Sequence, residues 1–344
     1  MKTVSGEQGL RPGRRTFLAN AAALGAVSLL GLPRTAEAEP PPETRRLRVF
    51  ASPIPCKAPE YVARELLRTE GFTDVQYIEY PSEITSWPPD GVLSGVADIT
   101  LSYAPKALIY IEAGAPLVLL AGSHIGCIEL VANRRVGSIR DLKGKTVAIT
   151  GFGSAEHVFL SMFVAYVGID PSKDIDWIVH PAYADHVPLF LKGKFDAFIT
   201  SLPASVELRE NNAGHVLLNS TVDDPWADYH CCFVVCAKDF VDRYPVATKR
   251  ALRAYLKATD LCARDPVRVA RLIADQGLAR YDDTLKMLEE IPYGRWRDYD
   301  PEDAVRFYAL RMRDLGMLKS APKKIVAKGT DWRFLKALKR ELKA

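Results

Sequence analysis

The chain has little of what several protein classes require. Beyond residue 38 no apolar run reaches the roughly 20 residues that a bilayer-crossing helix takes. A surplus of one charge is also missing. The whole sequence sets 46 Lys and Arg against 42 Asp and Glu, and with the first 38 residues set aside 41 basic residues face 40 acidic ones. The isoelectric point of about 8.6 is therefore largely a property of the first segment. A nearly neutral chain without a basic run offers no electrostatic footprint for nucleic acid. Histidine is scarce: the six, at 124, 157, 180, 186, 215 and 230, show no paired zinc-motif spacing. No Gly-x-Ser-x-Gly elbow occurs and no acid/base pair stands out by spacing, so neither a hydrolase nor a spacing-defined metal centre is expected, and no cofactor.

What the first segment does contain is an export signal. Gly13-Arg14-Arg15-Thr16-Phe17-Leu18 leads into an Ala/Gly/Leu-rich stretch ending at Leu32, and Ala36-Glu37-Ala38 has the small-x-small pattern of a cleavage site. The arginine pair followed by Phe-Leu is of the twin-arginine type, which exports proteins already folded. An uncleaved anchor is the alternative, but the stretch is short and Ala/Gly-rich for a span. No cysteine follows it where a lipid would be attached. The expectation is a signal peptide over 1–38, cut near Ala38, and a mature chain of about 306 residues, enough for two lobes.

Strand and helix patterns then alternate. Strands are predicted at Arg46–Ala51, Val75–Tyr80, Lys145–Thr150 and Ile175–His180, with helices at Ala58–Thr69 (stopped by Gly71) and Ser154–Val167 (stopped by Gly168). Such alternation argues for α/β lobes with mainly parallel sheets. A weak internal repeat accompanies it. Gly95-Val96-Ala97-Asp98 before Ile99–Ser102 has a counterpart in Gly193-Lys194-Phe195-Asp196 before Ala197–Ser201, 98 residues on. From Tyr244 helices succeed one another, at about Pro245, Asp265–Asp275, Asp282–Ile291 and Pro301–Leu315, with a last one capped by Asp331. The expected division is 45–128 plus 226–344 as a first, discontinuous lobe and 129–225 as a second. The chain crosses near Cys127 and returns near Tyr229.

The Ile139–Ala148 segment, with its Asp141-Leu142-Lys143-Gly144-Lys145 core, resembles the nitrate/sulfonate/taurine and thiamine-precursor (hydroxymethylpyrimidine) binding proteins of ABC importers. So do the Gly151–His157 loop, the Gly193–Ala197 pattern and the closing Thr330–Leu335. That resemblance implies a type II periplasmic binding protein: two α/β lobes joined by two crossover strands, with the helical tail packed on the first lobe. It implies a small-molecule ligand, permease and ATPase subunits in the inner membrane as partners, a monomer, and no enzymatic activity. His230-Cys231-Cys232-Phe233 is also similar, in part, to the cysteine-rich segment of the fungal thiamine-pyrimidine synthases, enzymes of the same fold. Val234 and Val235 stand where further cysteines of that run would be. Such an enzyme, or a ligand sensor serving a signalling receptor, is the alternative reading.

In open α/β sheets ligands bind at loops beyond the carboxyl ends of strands. Here those loops are Ser52–Lys57, Ser102–Ala104, Gly122–His124, Gly151–His157 and Thr200–Pro203, rich in small, hydroxylated and aromatic residues. The candidate ligand-binding residues are Ser102, Tyr103, Ser123, Gly153, Ser154, His157, Thr200 and Ser201. Gly151-Phe152-Gly153-Ser154 opens a helix and would suit an anion. It reads equally as an ordinary capped start, and as a dinucleotide fingerprint it fails at Glu156. Tyr103, Phe152, Trp87, Tyr183 and Tyr229 are candidate aromatic walls, and Lys57 is the best candidate for an unpaired base in the loops. Cys127 and the Cys231-Cys232 pair fall on the two crossovers, where either a disulfide or buried thiols would fit.

Overall fold

The computed structural model describes residues 39–51, 55–79, 90–201 and 204–342. Residues 1–38, where a signal peptide is expected, Trp87, and parts of the Ser52–Lys57 and Thr200–Pro203 loops lie outside the described residues. Among those described, no helix is long and apolar enough to cross a membrane.

Among the described residues, ten strands form two five-stranded sheets: β1 (Arg46–Ala51), β2 (Asp74–Glu79), β3 (Ile99–Tyr103), β4 (Leu117–Ile125), β5 (Glu129–Ala132), β6 (Thr146–Ile149), β7 (Asp176–Val179), β8 (Ala197–Thr200), β9 (His215–Asn219) and β10 (His230–Ala237). The first sheet runs β2-β1-β3-β10-β4 and the second β7-β6-β8-β5-β9. Each has three parallel strands, then one antiparallel strand contributed from across the molecule, then an edge strand that is antiparallel to this neighbour and so runs with the first three. The two sheets are thus one design used twice. The chain passes to the second sheet through Gly126–Ile128 and comes back through Ser220–Tyr229, so β5 and β10 are the exchanged strands.

The repeated Gly-x-x-Asp pattern has the same job in both halves. Asp98 accepts from the Arg48 backbone N–H at 2.8 Å, and its own N–H donates to the Arg48 carbonyl at 2.8 Å. Asp196 does likewise with Thr146, at 3.2 and 2.8 Å. Arg48 and Thr146 are 98 positions apart, so the repeat marks a ladder extension that locks β3 onto β1 and β8 onto β6. Gly95 and Gly193 precede them in the left-handed region, at φ 72° and 67°, where a side chain would be strained.

β10 reads His-Cys-Cys-Phe-Val-Val-Cys-Ala and is buried from His230 to Cys236, as a strand covered on both faces must be. The Ala58–Thr69 helix has Pro59 in its first turn and ends at Gly71, φ 101°, in both respects as the pattern predicts. The tail starts with Pro245–Arg264, which packs on the Ala58–Thr69 helix. Glu70 joins the two by accepting from Arg253 at 2.6 Å and Lys257 at 3.1 Å. The last helix, Arg333–Glu341, begins one residue later than an Asp331 cap would place it. Asp331 instead accepts from the Arg333 N–H, and the capping position falls on Trp332. Tail helices also reach β4, where Thr330 forms a bridge beside Leu119.

Candidate functional site

The carboxyl ends of β3 and β8 and the first crossover meet around a cavity of about 20 Å³, lined by Tyr103, Ile128, Ala155, Glu156, Phe159, Tyr183, Ile199, Thr200 and Ser201. Both sheets contribute, as do the crossover and the start of the Ala155–Tyr166 helix. That helix also carries the seam: Phe159 meets Tyr103 and Tyr308 edge-on, and Phe163 meets Trp226 of the return segment at 4.6 Å. A volume near 20 Å³ holds one water or an ion, since one probe sphere needs about 10–15 Å³. A larger hollow of about 750 Å³ lies between Leu66, Asp260, Arg264 and Arg297, on the helical face, and touches no strand end.

The eight candidate residues divide into groups. Tyr103, Thr200 and Ser201 line the cavity. Gly153, Ser154 and His157 close on one another at the helix start: the Ser154 hydroxyl accepts from the His157 N–H at 3.2 Å, and the Gly153 N–H donates to His157 Nδ1 at 3.1 Å. The hydroxyl proposed for a ligand therefore acts as the helix cap. His157 rests between the rings of Phe152 and Trp177, and burial lowers its pKa to about 4. Accepting at Nδ1, the neutral ring carries its proton on Nε2. Ser102 and Ser123 do not line the cavity. Ser102 is buried within β3 opposite Phe233. Gly122–His124 is not a loop but the end of β4, and its alternation turns Ser123 to the helical layer, 3.5 Å from the Thr259 hydroxyl. Of the proposed aromatic walls, Tyr103 and Tyr183 fit. Phe152 is 68% exposed and Tyr229 stacks on Phe307 at 3.8 Å.

Glu156 is buried at the cavity, where the Thr150 hydroxyl donates to Oε2 at 3.0 Å while Oε1 has no hydrogen-bond partner. A carboxylate there already answers the positive end of the helix, which weakens the case for an anion at this point.

Next to Tyr103 lies a group that spacing did not reveal. The ligand atoms of Cys56, His124, Cys127 and Cys232 all fall within 4.8 Å of one another, and all four residues are buried. They come from the short 3-10 turn after β1, from β4, from the first crossover and from β10. Nothing local in the sequence joins positions 56 and 232; only the cysteines on the crossovers hinted at a meeting. The Tyr103 hydroxyl is 3.6 Å from Cys56 Sγ and 4.0 Å from Cys127 Sγ. Cys127 and Cys231 stand 3.5 Å apart as thiols, and all six cysteines are free, so the contemplated bridge is not formed.

Electrostatics around this group are strained by burial. Burial would lower the His124 pKa, yet Cys232 and Cys231 hold it well above the ordinary imidazole range. Burial would raise the Cys232 thiol, but hydrogen bonds with Cys127, Cys231 and Cys56, with His124 beyond, hold it well below the usual range. Lys57 is fully buried and its Nζ has no hydrogen-bond partner. Burial lowers its pKa, while Glu60 and the Cys232, Cys56 and Cys127 sulfurs act the other way. Four such side chains could hold a metal ion.

The NMT1/THI5-like family model matches residues 57–269. A comparison with curated proteins finds no match. Among solved structures, the chain resembles the periplasmic nitrate-binding protein NrtA from Synechocystis PCC 6803, at 18% identity and TM-score 0.74, covering 88% of this chain and 90% of that one. It also resembles the alkanesulfonate-binding protein SsuA from Xanthomonas axonopodis pv. citri, solved with MOPS, at 17% identity, TM-score 0.62 and coverage of 82% and 96%. A third is the ligand-binding component of an ABC-type import system from Staphylococcus aureus, solved with zinc, at 12% identity, TM-score 0.68 and coverage of 85% and 98%. The family match spans well over half of the chain, and the backbone resembles these structures over more than four fifths of its length: the chain belongs to the NMT1/THI5-like family and has the periplasmic binding protein fold.

Proposed function

We propose that the chain is the periplasmic solute-binding component of an ABC importer, which takes a small ligand between two lobes and delivers it to a membrane permease. The observation that carries this reading is the cavity lined jointly by Tyr103 from one sheet and Thr200 and Ser201 from the other. A solute touching both sides stabilises the closed arrangement by contacts that the open one lacks, which is what a binding protein needs to signal its loaded state. Lobe 1 is assigned to 45–128 with 226–344 and lobe 2 to 129–225. Residues 1–38 are assigned as a twin-arginine signal removed on export. The relatives solved with nitrate or sulfonate specificity support a small solute, and the 20 Å³ now enclosed means that an organic ligand requires the lobes to part.

Small-angle scattering tests this: a solute found by thermal-shift screening should shrink the radius of gyration of the mature protein, and an unchanged radius with saturating solute contradicts the reading. The thiol-rich segment of β10 favours one second reading, an enzyme of the thiamine-pyrimidine synthase type. That enzyme would retain iron or pyridoxal phosphate through dialysis, visible by metal analysis or in its absorbance, whereas a binding protein would retain neither.

A further inference from the structure

We infer that Cys56, His124, Cys127 and Cys232 form a closed, four-coordinate site for a thiophilic divalent metal ion of the Zn²⁺ type. In a tetrahedral zinc–thiolate centre with metal–sulfur bonds of about 2.3 Å, neighbouring ligand atoms lie about 3.8 Å apart. The four atoms here already fall within 4.8 Å of one another, so side-chain adjustments of about 1 Å complete the shell. Three sulfurs and one imidazole are the ligand set of a structural Zn²⁺ site, and soft thiolates discriminate against Mg²⁺ and Ca²⁺.

Burial supplies the second step. Cys56, His124, Cys127 and Cys232 are 2%, 0%, 3% and 0% exposed, which leaves no side of the group to solvent and makes the site closed. Two polar atoms around it, His124 Nε2 and Lys57 Nζ, are buried without a hydrogen-bond partner. Such atoms are costly unless something compensates them. Lys57, adjacent to Cys56 in sequence, is itself fully buried. The neighbouring Glu60 carboxylate is already engaged by the Leu101 N–H and the Thr100 hydroxyl. Ligation would also keep Cys127 from oxidising with Cys231, 3.5 Å away.

The ion would tie the turn after β1, the end of β4, the first crossover and β10 into one rigid floor beneath the cavity. It is a resident part of the protein and not the transported solute, so the inference goes beyond the transport reading and does not depend on it.

The test uses the mature chain, purified reduced and stripped of metal, and titrated with Co²⁺ and then Zn²⁺. One equivalent of Co²⁺ should give a thiolate-to-cobalt charge-transfer band with the intense d–d bands of tetrahedral geometry, and Zn²⁺ should abolish both. Cys232→Ser and Cys127→Ser should weaken binding by about tenfold or more, while Cys262→Ser, a buried thiol elsewhere, should leave it unchanged. Circular dichroism checks each fold, and Cys56→Ser or His124→Gln replaces a variant that does not fold. Absence of the charge-transfer band in folded wild-type protein overturns the inference. So does a loss in Cys262→Ser as large as that in Cys232→Ser.

Discussion

At the scale of single residues, the two repeated aspartates are the most exposed to test. Asp196 accepts from the Thr146 N–H and hydroxyl and from Asn133. Burial would raise its pKa, but those bonds and nearby Arg135 hold it below the usual carboxylate range. Asp196→Ala should therefore cost about 1.5–3 kcal/mol in urea unfolding, the range for hydrogen bonds to a charged group. Its stabilisation is present above the unfolded-state pKa of about 3.9 and is lost as pH falls through the lower folded value. His157 has a different window. Its folded pKa of about 4 lies below the unfolded value of about 6.5, so the unfolded chain binds the proton first and stability falls between those limits as pH drops. His157→Gln should flatten that part of the Tm profile, and an unchanged slope would contradict the assignment of a buried neutral ring. These residues also mark what sequence could and could not say. Tyr103, Thr200 and Ser201 line the cavity because they stand at or just past the ends of β3 and β8, a position that strand patterns mark in the sequence. Ser123 lies away from the cavity because β4 continues four residues past Ala121, to Ile125, where a loop was expected, and one step of alternation turns a side chain to the other layer. The Cys56–His124–Cys127–Cys232 group was unreadable because its members are brought together only by sheet order.

Among elements, the parts written in local chemistry were predictable almost to the residue. β1 and the Ala58–Thr69 helix begin and end as expected because proline, a glycine with positive φ and apolar spacing punctuate them. The insertion of β10 between β3 and β4 has no such local mark; an all-apolar run fits a buried strand anywhere in a sheet. The tail and the Ala58–Thr69 helix are joined through Glu70, which is buried and whose pKa lies below the usual carboxylate value because Arg253 and Lys257 outweigh the effect of burial. Glu70→Ala leaves Arg253 without this partner and should lower stability by about 3 kcal/mol or more. A double-mutant cycle with Arg253→Ala should return a coupling energy above about 1 kcal/mol. Strict additivity would mean that the helices are held by apolar packing alone.

For the molecule as a whole, two copies of one sheet design, joined by exchanged strands, place both sets of strand ends at a shared cavity. The central claim is that the solute is held there. A thermal-shift screen run in parallel on wild type and on Thr200→Arg, which fills the cavity, tests it most directly. A solute at 100 times its dissociation constant should stabilise wild type by about 2.7 kcal/mol and leave the folded variant unmoved. Equal stabilisation of both proteins would place the solute elsewhere and contradict the account.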